Sequence, residues 1–177
     1  VSAQAYAEYG RNAASRSYYL GYTDAEVQTF VTSDDPIIME IATKLKSIAS
    51  SKGFSEVQTI NFALRFCQSL PYSYDNASAG ANEYWRFPVE TLYDETGDCE
   101  DTSFLFASVA EAMGYDAVMV FLPGHAAVAV ESSQASGSYY QYEGMKYYYC
   151  ETTGSGWDLG EMPSEHKGQD ADLVQVI

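Results

Sequence analysis

Residues 96–106 read TGDCEDTSFLF, and how this stretch folds decides the rest. Asp98 is a natural helix N-cap, and Asp101 three positions on completes a capping box. Phe104, Leu105, Val109, Ala112 and Met113 then recur at helical spacing until Gly114, so a buried helix is predicted over residues 99–113. Cys99 falls in its first turn. A thiol there meets unpaired backbone N–H groups and the positive end of the helix dipole, which favour the thiolate. The same N–H groups can hold an oxyanion. Glu100 and Asp101 act against the thiolate, and a dipole worth about 0.3–1 kcal/mol does not decide the contest. Cys99 is therefore either a small core residue or a nucleophile that needs a basic partner.

That partner is sought downstream. AVMVFLPGHAAVAVE reads as a strand over 117–122, a Pro123-Gly124 turn, and a second strand from His125 to Glu131. His125, Ala127 and Ala129 share one face of this strand, and Ala126, Val128 and Val130 share the other. The valines are expected in the core, while the small residues beside His125 leave room for approach. YYQYEGMKYYYCET reads as a further hairpin about Glu143-Gly144. There Met145, Tyr147, Tyr149 and Glu151 share a face, and Lys146, Tyr148, Cys150 and Thr152 oppose them. Glu151 is placed either to orient His125 through Nδ1 or to stand as a solvated strand-end acid. His166, in the polar tail EMPSEHKGQD, reads as non-catalytic.

Upstream the pattern is helical. AQAYAEYGRNAASRSYYL reads as helix up to Gly21, and Thr23 with Glu26 forms a capping box for a helix through Phe30. Asp34 or Asp35 ahead of Pro36 opens another that ends at Gly53, and Ser55 caps the next, on which Val57, Ile60, Leu64 and Cys67 form one stripe. Residues 71–98 change character, with two prolines and a scatter of aromatics. They read as a long irregular segment in which Tyr72, Tyr74 and Phe87 line a substrate cleft or simply cover the core. Helices first and antiparallel strands second make the chain α+β. The chain of 177 residues suits a single domain: a helical region over 1–54, a core over 55–160 and a tail over 161–177.

Composition narrows the function classes. With 25 acids against nine bases the net charge is −16, which argues against nucleic acid and anionic membranes as partners. No apolar run is long enough to span a bilayer, and a monomer acting on a peptide or protein is expected. Starting at Val1 and rich in tyrosine, the chain reads as extracytoplasmic, or as a soluble domain trimmed from a secreted or membrane-anchored precursor. Three cysteines allow one disulfide with a free thiol, or three free thiols; a Cys67–Cys150 bridge is the pairing that leaves Cys99 free. A zinc site of Cys99, His125 and Cys150 has no compact ligand spacing, and no EF-hand pattern exists, so neither metal nor cofactor is expected.

GDCEDTSFLFASVAEAMGYDAVMV, GHAAVAVE and YYYCETTGSGW together resemble the transglutaminase-like superfamily, within the papain-like cysteine proteinase fold, in its prokaryotic protease-like branch. FPVETL, upstream, is similar to a segment that often precedes the family's cysteine. The resemblance covers roughly residues 55–160. It implies a helix-borne nucleophile packed on an antiparallel sheet, with Cys99 as nucleophile, His125 as base and Glu151 as orienting acid. The family's usual acid is aspartate, and Glu151 is one methylene longer. Relatives use an aromatic or amide side chain upstream of the cysteine as an oxyanion donor, which makes Trp85, Tyr84 and Gln68 candidates. The implied chemistry is acyl transfer on amides through a Cys99 thioester, with hydrolysis expected. Alternatives are transamidation and a catalytically silent peptide- or glycan-binding module. The negative charge favours a neutral or basic substrate.

Overall fold

The structure, a computed structural model, describes residues 1–10, 21–75 and 84–176. Among these, six helices precede the strands: α1 (Ala3–Gly10), α2 (Asp24–Phe30), α3 (Pro36–Lys52), α4 (Glu56–Gln68), α5 (Pro88–Asp94) and α6 (Cys99–Ala112). The strands are β1 (Ala117–Leu122), β2 (His125–Glu131), β3 (Tyr139–Tyr142), β4 (Met145–Cys150) and β5 (Asp172–Gln175). They form one antiparallel sheet in the order β3-β4-β2-β1-β5. The chain is thus α+β. The helix expected over residues 3–20 is seen as α1; its continuation past Gly10 lies outside the described residues.

Local signals account for most element ends. Thr23 and Glu26 cap α2 reciprocally, Asp35 caps α3 ahead of Pro36, and Ser55 and Gln58 form the box that starts α4. Gly53 closes α3 in the left-handed conformation. At the β3–β4 turn both Glu143 (φ 46°) and Gly144 (φ 86°) have positive φ, the type I′ geometry whose twist matches a two-residue hairpin.

Two expectations need correction. Residues 88–94 are helical where an irregular segment was expected; Pro88 at the first helical position and Glu90, whose carboxylate accepts from the Phe87 N–H at 2.9 Å, are the start signal. The supposed tail carries β5, which pairs with β1 from Val118–Gln175 to Phe121–Asp172. Its four residues, DLVQ, hold too little alternation to be read as a strand without that edge.

α6 lies at the centre. It is buried on every side from Asp101 to Ala110, not along a stripe alone, because α3, α4 and α5 cover it on one side and the sheet on the other. One apolar cluster runs from Val27 and Phe30 through Phe104–Ala107 to Val128, Val130 and Val176, so the N-terminal helices and the sheet share a core. On the opposite face of the sheet Val118, Val120, Ala127, Ala129, Tyr147 and Tyr149 form a second cluster. The small residues of β2 therefore do not border open space: Tyr147 and Tyr149 fill it. The three cysteines are free and buried, and no Cys67–Cys150 bridge exists.

Where α6 meets β1, Glu111 Oε1 accepts the Ala117 N–H at 2.7 Å. Burial pushes this carboxyl up from 4.5 to about 7, with Asp116 adding to the rise. A carboxyl with a raised folded pKa gives its full stability below the unfolded value and loses it as pH climbs through about 7. Glu111→Gln keeps the acceptor and removes the charge. It should match wild type in urea unfolding at pH 4 and exceed it at pH 8 by about 1 kcal/mol, after allowing for partial solvation. A wild type more stable than the variant at pH 8 would contradict this account.

Candidate active site

Cys99 stands at the first position of α6, with Asp98 as its N-cap. The glycine before it is required by packing: a Cβ on Gly97 would lie 2.6 Å from Asp101 Cβ and 3.3 Å from Thr91 Cγ2. Asp101 is fully buried, and its two oxygens accept from the Arg86 N–H (2.8 Å) and Arg86 Nη1 (2.5 Å). The same guanidinium bonds Asp75 (2.9 Å) and Asp94 (3.2 Å), tying the loop at 75 and α5 to the first turn of α6. Burial pushes the Asp98 and Asp101 carboxyls up, and at Asp101 the Arg86 charge works against the rise. On the sheet side the Thr152 hydroxyl bonds Thr102 and Ser103 at 3.0 Å each, which pins the start of α6 to the end of β4.

His125 and Glu151 come together as alternation predicts. The pairing of Val128 with Cys150 sets Glu151 beside Ala127, on the His125 face and diagonal to it. His125 Nε2 lies 3.1 Å from Glu151 Oε2, with the histidine 12% and the glutamate 2% exposed. Glu151 is thus no solvated strand-end acid. The nitrogen it meets is Nε2, not Nδ1, and Nδ1 is left on the other side of the ring. The Tyr149 hydroxyl donates to Oε2 (2.8 Å), while the Thr153 N–H (3.0 Å) and hydroxyl (2.6 Å) donate to Oε1. Burial raises the Glu151 pKa, but His125 and these donors outweigh it and hold the carboxyl below its usual range.

The thiol has a different partner. Cys99 Sγ donates to Glu100 Oε2 at 2.9 Å. Burial pushes the thiol up, and the Glu100 charge and hydrogen bond push it further; the backbone amide of Ala126, next to His125, acts in the opposite direction. The sulfur therefore sits at the start of β2, beside the residue that follows the histidine.

The remaining candidates divide. Gln68 has both amide hydrogens engaged, donating to the carbonyls of Glu151 (2.8 Å) and Trp157 (2.9 Å), so it holds the backbone of the acid and has no donor left for an oxyanion. The Tyr84 hydroxyl donates to Glu90 at 3.3 Å, and the Trp85 ring packs in the core against Tyr22, Phe30, Phe104 and Phe121. Phe87 is half-buried and stacks on Phe30 against that core. Tyr72 and Tyr74 are exposed and pack edge to face. Tyr72 bridges to Gly97, and after burial the charges of Cys99 and Asp98 push its phenol up, which places it beside Cys99.

His166, read from the sequence as non-catalytic, stacks on His125 with centroids 4.4 Å apart and planes 3° from parallel. Nothing in the tail's sequence signals this contact, because it depends on the return of the chain from β4 to β5.

No protein-family profile matches the chain, and no curated protein matches it either. No described helix is long and apolar enough to cross a membrane.

Proposed function

We propose that this protein is a thiol-dependent acyltransferase of transglutaminase-like, papain-like architecture, which hydrolyses amide or peptide bonds through a Cys99 thioester. The observation that carries the reading is the buried His125–Glu151 pair, set at the end of the sheet where the Cys99 sulfur meets the Ala126 amide. In the proposed cycle the thiol leaves Glu100 and gives its proton to His125 Nδ1, and Sγ attacks the carbonyl carbon. The backbone N–H groups at the start of α6 stabilise the oxyanion, and Tyr72 is better placed than Trp85, Tyr84 or Gln68 to add a donor. Collapse expels the amine, which takes the proton from His125. Water then adds to the thioester with His125 as base and releases the acid and the thiol. Glu151 keeps the ring oriented and offsets its charge.

One observation favours a second reading, a silent binding module: the Cys99 thiol donates to the Glu100 carboxylate, and burial together with that charge disfavours the thiolate. Iodoacetamide labelling of each cysteine, followed by mass spectrometry across pH 4–10 in wild type and His125→Ala, separates the two. Cys67 and Cys150, both held high by complete burial, serve as internal controls. We expect Cys99 to react fastest near neutral pH and to slow about tenfold or more in the variant, one pKa unit being about 1.4 kcal/mol. Identical Cys99 profiles in the two proteins would leave the binding module as the better account.

A further inference from the structure

We infer that His125, Glu151 and His166 form a binding site for a divalent transition-metal ion of the zinc class, which blocks the imidazole from acting as a base. Their donor atoms lie within 4.8 Å of one another. Two imidazoles and one carboxylate suit Zn²⁺, Co²⁺ or Ni²⁺ and are a poor set for Mg²⁺ or Ca²⁺, which prefer oxygen alone.

Two donors are already close to their places. With metal–nitrogen bonds of about 2.0–2.1 Å, neighbouring ligands of a tetrahedral ion stand about 3.3 Å apart. His125 Nε2 and Glu151 Oε2 are 3.1 Å apart. The carboxylate is held by Tyr149 and Thr153, the kind of outer support that fixes metal-binding side chains.

The third donor has an independent mark. His166 Nδ1 is buried and has no hydrogen-bond partner, a state that costs free energy unless something binds there. The donor atoms span up to 4.8 Å, wider than the about 3.3 Å of a tetrahedral site, so His166 must shift in its stack on His125 for its nitrogen to converge on the ion. It stands in the turn over residues 164–168, where Ser164, Glu165, Lys167 and Gly168 are exposed. Water completes the fourth position; the ion takes the Nε2 lone pair, the ring's one proton then sits on Nδ1, and the nitrogen that would accept from Cys99 is no longer an acceptor.

Binding itself does not depend on the proposed hydrolase reading; the block on catalysis does. The test adds ZnCl2 in calorimetry and CoCl2 in visible spectroscopy to wild type, His166→Ala and Cys99→Ser. We expect one ion per chain, affinity about tenfold or more weaker in His166→Ala, and little change in Cys99→Ser. The cobalt spectrum should show d–d bands without a sulfur-to-cobalt charge-transfer band. Absence of binding, equal affinity in His166→Ala, or a charge-transfer band that disappears in Cys99→Ser would overturn the site. Zinc should also slow Cys99 labelling in wild type and much less in His166→Ala. If the ion binds as expected and labelling is unchanged, the site stands and the block falls. If the His125→Ala labelling test fails while the ion still binds through His166, the hydrolase reading falls and the site remains.

Discussion

Methionine in place of Arg86 is expected to lower unfolding free energy in urea by about 3–5 kcal/mol, the loss typical when one partner of a buried ion cluster is removed. Arg86 is 1% exposed, and its guanidinium reaches Asp75, Asp94 and Asp101. Without it, Asp75 and Asp101 stay buried with no cation beside them, and Asp101 loses the donor that holds it under the first turn of α6. Protonation of Asp101, whose carboxyl burial already pushes up, relieves part of this, so the deficit should shrink as pH falls. Adding Asp75→Asn and Asp101→Asn to the methionine variant should recover part of the loss, since these positions share one network and cannot be additive. A loss under about 1 kcal/mol, at the level of a surface pair, would show that the cluster does not hold this region together.

The second large effect is expected at Glu151. Glutamine keeps the size and, with its oxygen toward Thr153, an acceptor for that residue's two donors, while its NH2 faces the Tyr149 hydroxyl and His125; the fold should persist, but the charge facing His125 is gone. If His125 is the base, Glu151→Gln should slow Cys99 labelling near neutral pH about tenfold or more. Hydrolysis of an amide substrate should fall roughly a hundredfold to ten-thousandfold, as when the acid of a hydrolytic triad is neutralised. Glu151→Asp keeps the charge on a shorter arm and should lie between the two. Labelling at the wild-type rate in Glu151→Gln would mean that the buried pair is structural.

Much of the site was legible because its signals are local or periodic. The cap at Asp98, the start of α6 at Cys99 and the hairpin turns need only a few neighbouring residues. The two-residue period then places His125 and Glu151 on one face of the sheet. Period says nothing about which nitrogen the acid meets, however, and that proved to be Nε2. Nor does it reveal that Tyr147 and Tyr149 fill the space beside the alanines of β2, because that depends on β4 pairing with β2 in this register.

The sequence by itself determined where five of the six described helices begin, which strands form hairpins, and which side chains of β2 and β4 point the same way, since each follows from backbone preferences and side-chain period within a short segment. Only the tertiary structure decided that Arg86 gathers three aspartates, that Gln68 holds the backbone of Glu151 across 83 positions, that β5 completes the sheet, and that His166 covers His125. Contacts between residues far apart in the chain leave no local pattern. They are selected by which buried polar groups can satisfy one another once the core has closed.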